Sequence, residues 1–545
     1  MNQIVQAHLL DNRYLHVSAL LLIAMATLAA AVNYPGSLTP LLLNGVLAGL
    51  LVRSVLSNRT SFFSFFLLAF LILGCWAKLV LHFIYATQFI EPIGAFDNSP
   101  QAWDSAMLAL NAAFATLLAC QAIAARLQPP ATIPVERPRA LLKPSMWLAV
   151  LLTVVLLAVN FRFAILKVGT EPTLKLHSYV YVLVSFMIAW GNLILLATLG
   201  YWLVQARQMK LETLFYILIL EGAVTAVSMG SRAQMILHVI APLAVYLVHG
   251  RELASAMRLV QWVRILLVTG ILFVASLLLV SADRLQSFAQ ARPVMTAMIS
   301  SKEPASDASL TVARPVSSLL VAPAESAQAI ASILAPAIPQ FPIIAPLVTV
   351  APVDAEPVPV TVAPVVETTE VKRARWKGML MELSKLVVDR WVGLEGVLAV
   401  VSHEHTGWPL FLHSLTERPE AGTQAIYQRM SNAQYQAFEN FTFMTIPGPL
   451  AILLYSGNLA VLVAGLALLF FAGILVERLA SLLVGNIFTR AAIGVALAYL
   501  LVQTNFPRVQ MFFLVEVLGF IAGLYLARII VTAQKTENVA LKPAL

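Results

Sequence analysis

Apolar runs of nearly membrane-spanning length, separated by short polar turns, recur along most of this chain. Inside a bilayer the backbone has no water to bond, so each run must close its own hydrogen bonds, which a helix does within one segment. Each run approaches the roughly 20 residues that a spanning helix needs. About twelve spans are expected, centred in 17–33, 38–55, 62–84, 105–124, 146–165, 179–203, 212–229, 233–249, 263–281, 449–476, 482–502 and 510–531. The first run has small residues after it, as a cleaved secretory leader would. Its polar lead is long and carries Arg13 as its only cation, so an uncleaved helix is expected. The fold class that follows is an all-α polytopic membrane protein with one large loop containing a small helical module.

Composition agrees. Of 545 residues, 60% are hydrophobic and only 11% are charged, against about a quarter charged in an ordinary soluble domain. The net charge of +8 could point to nucleic acid in a soluble chain. Here the positive-inside rule accounts for it. With an N-terminus in the cytoplasm, the inner loops collect Arg53, Arg59, Arg126, Arg137, Arg139, Lys143, Arg207, Lys210, Arg251, Arg258, Arg264 and Arg478. The first outer loop carries only the acids Glu91, Asp97 and Asp104. Both termini are therefore expected on the cytoplasmic side. Cys75 and Cys120 fall inside apolar runs, where packing is the expected role.

Four regions follow. Residues 1–281 form an N-terminal membrane domain of about nine spans, and 448–545 a C-terminal one of about three. Between them, 282–371 reads as a Pro/Ala/Val-rich linker without helical periodicity, expected to be extended or disordered. Residues 372–447 mix charges, histidines, tryptophans and glycines and read as a folded outer module, with an amphipathic helix over Trp376–Val388. No repeat relates the two halves of the chain, which weakens an inverted-repeat transporter architecture.

Cations gather where the positive-inside rule disfavours them. Lys78, Arg162, Lys167, Lys175, Arg232 and Arg508 fall in the outer half of the membrane or just beyond it, and Arg373, Arg375, Arg390 and Arg418 in the outer module. As a group they point to an anionic ligand, because guanidinium binds phosphate oxygens in a bidentate fork. Taken singly, each has a plainer account as a snorkelling interfacial side chain. Arg232 sits at a tight turn that Gly230 and Ser231 permit. Glu221 lies on nearly the same helical face as Arg232 and, like Glu516, is expected to hold an arginine in an ion pair; an ion site in a transporter is the alternative. Arg490 reads as a topology anchor or an ion-pair partner.

The densest polar stretch is DRWVGLEGVLAVVSHEH, with Asp389, Arg390, Glu395, His403, Glu404 and His405. Carboxylates and imidazoles can accept a proton from a hydroxyl. The plainer readings are a solvated loop for the histidines and an intrahelical salt bridge between Arg390 and Glu395. A metal is weakly indicated, since neither HExxH nor a paired CxxC occurs. Pro447-Gly448-Pro449 breaks the chain where it returns to the membrane. Neither a Walker A sequence nor a dinucleotide fingerprint is present, so any donor must arrive already activated.

In this layout, and in SMGSRAQM, DRWVGLEGV, IPGPLAILLYSG and PIGAFDNSPQAWD, the chain resembles the bacterial O-antigen and exopolysaccharide polymerases. The linker at about 300–371 departs from that pattern. The resemblance implies an integral membrane glycosyltransferase of the bacterial inner membrane. It would join undecaprenyl-diphosphate-linked glycan units at the periplasmic face, without a cofactor or a metal. On this pattern Arg232 and Arg390 hold the diphosphate with Arg162 assisting, and Glu395 or His403 is the base. Partners would be the lipid-linked glycans, membrane lipids and a chain-length regulator, with no nucleic acid. The alternatives are an O-antigen ligase and, from another class, a secondary transporter or lipid-linked-glycan flippase.

Overall fold

The protein is described from a computed structural model over residues 13–57, 61–89, 91–126, 141–170, 172–254, 257–300, 391–418, 424–433 and 445–533. Helices dominate, with no strand among the described residues. In chain order they are α1 (Arg13–Ala31), α2 (Leu38–Ser57), α3 (Phe62–Tyr85), α4 (Pro100–Ala124), α5 (Leu142–Phe163), α6 (Ser178–Gln205), α7 (Leu211–Met229), α8 (Arg232–Ala254) and α9 (Leu259–Ser300). After the long connection come α10 (Leu394–Val401), α11 (Trp408–Thr416), α12 (Ile426–Met430), α13 (Gly448–Leu454), α14 (Leu459–Val484), α15 (Ile487–Val502) and α16 (Pro507–Ala533).

Among the described residues ten helices are long and apolar enough to cross a membrane: α1 to α7, α9 through Asp283, α14, and α16 through Ile530. Arg232–Val248 of α8 and all of α15 are apolar but shorter. Leu, Val and Ile side chains stay exposed along α1, α5, α9 and α16, as lipid-facing surfaces should. By contrast α15 is buried along nearly its whole length, between α3, α6, α8 and α14. A helix apolar all round belongs at the centre of a bundle, where its neighbours shield it from lipid.

Two long helices contain a π-helical turn, Ile72–Ala77 in α3 and Met187–Gly191 in α6. Such a turn displaces backbone carbonyls from their usual partners and is frequent at functional sites.

The ends of several spans differ from the sequence expectation. α9 continues to Ser300, although the linker is expected from 282; that stretch is still rich in Ala, Gln, Met and Arg, all good helix formers. The span expected over 449–476 is two helices. α13 stops at a turn in which Gly457 is left-handed (φ 68°). Asn458 then caps α14, its side chain accepting from Ala460 N at 2.8 Å. The linker from 301 on, the amphipathic helix over Trp376–Val388 and Arg390 lie outside the described residues.

Candidate functional site

The described part of the outer module does not stand apart from the bundle. Residues 391–401 are wedged into it, with α10 packing against α4, α13 and the π-helical turn of α3. Two glycines make the fit possible. Gly74 of α3 abuts the Val392 carbonyl, and a Cβ on Gly396 would overlap the Pro447 carbonyl. Trp391 stacks on Phe70, ring centroids 5.2 Å apart. The Pro447-Gly448-Pro449 break closes the other side, where Gly448 N donates to Thr504 O at 3.1 Å. The non-helical backbone at Val392 and Gly393 is buried by protein, as backbone drawn among spanning helices must be unless water lines it.

Glu395 enters at the first turn of α10 and meets Lys78 of α3. The ammonium donates to Oε1 at 2.6 Å, with the two side chains 6% and 3% exposed. Lys78 lies about 10 Å in from the Tyr85 end of its helix, at 1.5 Å per residue. Glu395 is thus paired with a lysine from another helix, and Lys78 is an ion-pair partner rather than a snorkelling cation. Cys75, a buried free thiol like Cys120, sits beside Gly393.

Tyr427 of α12 joins this cluster. Its hydroxyl is buried and has no hydrogen-bond partner among the described residues. Burial pushes its pKa well above the usual tyrosine value, and Glu91, Tyr455 and Glu395 push the same way. The group therefore remains a proton donor. Glu91 belongs to the loop between α3 and α4, which docks here through Gly94 N donating to Ser431 O at 3.1 Å. Nearby, Glu417 accepts from Ile426 N at 2.7 Å, and burial raises its carboxyl above the ordinary range. His403 follows α10 and is half-buried, with its ring edge-on to His405 at 6.1 Å.

Of the cations expected to act as one group, Arg373, Arg375 and Arg390 lie outside the described residues, and Lys78 is paired with Glu395. Arg232 opens α8 after Gly230, which is left-handed (φ 61°), and is partly buried. Lys167 lies against the same turn, and Val168 N donates to Met229 O at 2.8 Å. The Lys167 ammonium pairs with Asp283 of α9 at 2.8 Å. Arg162 is exposed at the end of α5 over the Phe163 ring, 5.5 Å from its centroid. Arg508 lies over Phe512 at 5.9 Å. Lys167 thus shares the Gly230 turn, while Lys78 belongs to the Glu395 cluster.

Two further buried clusters join side chains from neighbouring helices. Glu221 meets His238 of α8 rather than Arg232, Nδ1 to Oε2 at 2.7 Å. A helical face identifies neighbours along one helix, whereas here the partner comes from the next helix. Glu477 of α14 pairs with Arg490 of α15 at 3.0 Å, so Arg490 is a buried partner rather than a topology anchor. The same carboxylate accepts from Ser61 Oγ (2.5 Å), Phe62 N (3.1 Å) and Phe63 N (2.9 Å), and so caps α3. Among the described residues no three His, Cys, Asp or Glu side chains converge as metal ligands would. No family model, curated protein or solved structure matches the chain.

Proposed function

We propose that this chain is an integral membrane glycosyltransferase that polymerises undecaprenyl-diphosphate-linked oligosaccharide units at the periplasmic face of a bacterial inner membrane. On this reading α8 and α15 complete twelve spans, and both termini are cytoplasmic. A sugar hydroxyl of one lipid-linked unit attacks the anomeric carbon of another. The new glycosidic C–O bond forms as the bond to diphosphate breaks, and undecaprenyl diphosphate leaves with the electron pair. The hydroxyl proton passes to a base.

The observation that carries this reading is the charged, aromatic wedge at 391–401, drawn from the long connection down among the spans. A lipid-linked substrate holds its diphosphate at the membrane boundary, and on this reading the ends of the spans around the wedge and the Gly230–Arg232 turn face that boundary. Half-buried His403 is the better candidate for the base, because Glu395 is closed in its pair with Lys78. Glu395 then positions α10. Arg232 and Arg390 hold the diphosphate, with Arg162 assisting from the rim. Tyr427 adds a donor for developing negative charge. The buried Glu221–His238 pair favours a second reading, a proton-coupled transporter of lipid-linked glycan.

The test is glycan chain length in the native host after gene deletion, with variants restored on plasmids. Deletion leaves single repeat units, wild type restores long chains, and a correctly inserted Arg232→Ala does not, with polymerisation down about 100-fold or more. Long chains that persist on the lipid carrier but miss their final acceptor would indicate a ligase. Unchanged glycans, with no redundant copy in the genome, sink the enzyme reading. A quieter variant tests the orphan hydroxyl. Tyr427→Phe changes thermal stability by less than about 1 kcal/mol, since no hydrogen bond is lost among the described residues. It nonetheless slows polymerisation by about tenfold. Wild-type rates in Tyr427→Phe would remove the residue from the site.

A further inference from the structure

We propose that Glu221 and His238 form a buried proton-binding site that takes up and releases one proton, independently of the glycan chemistry. The side chains of His238 and Glu221 are 0% and 2% exposed. His238 lies about 9 Å along α8 from Arg232, and Glu221 about 12 Å along α7 from Met229, so the pair sits about 10 Å inside the helix ends. Four elements face it. α7 supplies Glu221 and Thr225, whose hydroxyl donates to Oε1 at 3.0 Å. α8 supplies His238 and Gln234. α6 supplies the Ala189 carbonyl from its π-helical turn, and Trp190, whose ring lies 5.6 Å from the imidazole. α15 supplies Tyr499, 6.0 Å beyond Trp190. Among the described residues these contacts include no other charged group.

The hydrogen-bond inventory allows two proton counts, which differ in where Gln234 points its second amide hydrogen. Gln234 Nε2 lies 2.6 Å from Ala189 O, which can only accept, so that atom is the amide nitrogen. The same nitrogen is 2.9 Å from His238 Nε2, and His238 Nε2 is 2.9 Å from Ala189 O. With one proton fewer, Nδ1–H donates to the Glu221 carboxylate while Nε2 accepts the second amide hydrogen of Gln234. With one proton more, Nε2–H donates to the second lone pair of Ala189 O, Gln234 turns the amide hydrogen that Nε2 no longer accepts away from the ring, and Nδ1 and Glu221 share the other proton. The net charge of the pair moves from −1 to zero. Both counts leave every ring nitrogen bonded, which a merely structural histidine does not require. The π-helical turn supplies the spare acceptor, and Gln234, within about a turn of the start of α8, links the pair toward the helix end.

Gln234 and Glu221 favour opposite proton counts, and this makes the site testable. Full-length protein in lipid nanodiscs, labelled with 15N-histidine, is titrated by infrared difference spectroscopy across the pH window in which it stays folded. Wild type shows one histidine transition, absent in His238→Gln, that appears together with a carboxyl band absent in Glu221→Gln. Glu221→Gln removes the anionic partner and lowers the proton affinity of His238 about tenfold. Gln234→Met removes the donor to Nε2 and frees the carbonyl, which raises it about tenfold. If His238→Gln fails to fold, the opposite shifts in the other two variants still decide the matter. The proposal is overturned if no transition belongs to His238 in that window, or if the two variants shift it in the same direction or not at all.

Discussion

Glu395→Gln lowers the stability of the folded chain by about 3–5 kcal/mol, because it leaves the Lys78 ammonium beside a neutral amide in a site that excludes water. Lys78→Met has a cost of the same order. The double variant, Lys78→Met with Glu395→Leu, is less damaged than either single change, because it removes both charges and returns apolar volume. Thermal melting in detergent, followed by size-exclusion chromatography, gives the full cycle. Additive losses in the double variant would mean that the two charges are not energetically linked. The sign of the coupling also separates two roles for Glu395. A pair kept only for packing leaves the double variant active, whereas a pair that positions α10 for chemistry leaves it folded but slow.

The second large effect lies at the other end of the bundle. Glu477→Gln costs about 3–5 kcal/mol, although the side chain keeps its size. Four donors converge on the carboxylate: Ser61 Oγ, Phe62 N, Phe63 N and Arg490 Nη2. An amide offers one acceptor atom and turns its NH2 toward donors at the other. The start of α3 loosens as a result, and protease cleavage near residue 60 reports it. A variant that melts and resists protease as wild type does would show that the cap is dispensable.

Much of the architecture is legible in the sequence because a bilayer demands length and apolarity, and both are visible one segment at a time. The paired side chains are less so. Lys78 and Glu395 meet across most of the chain, and nothing local to either names the other. Glu221 and His238 were within reach, since they stand at nearly equal distances on either side of the Gly230 turn. Antiparallel neighbours equidistant from a turn share a depth. The helical direction of Glu221 points to Arg232, whereas reflection through the turn points to His238. The split into α13 and α14 was signalled by Ser456-Gly457-Asn458, a turn-forming stretch outweighed by the apolar runs on either side.

The Lys78–Glu395 pair also sets a timetable for synthesis. Its members are 317 residues apart, and a ribosome adds about 5–20 residues per second. Lys78 is therefore made roughly 15–60 s before Glu395 exists. During that interval α3 must be held by the insertion machinery, by lipid headgroups or by early helices. A nascent chain that stalls before α10 presents an intramembrane lysine without its carboxylate, a mark by which quality-control proteases can tell an unfinished copy from a finished one.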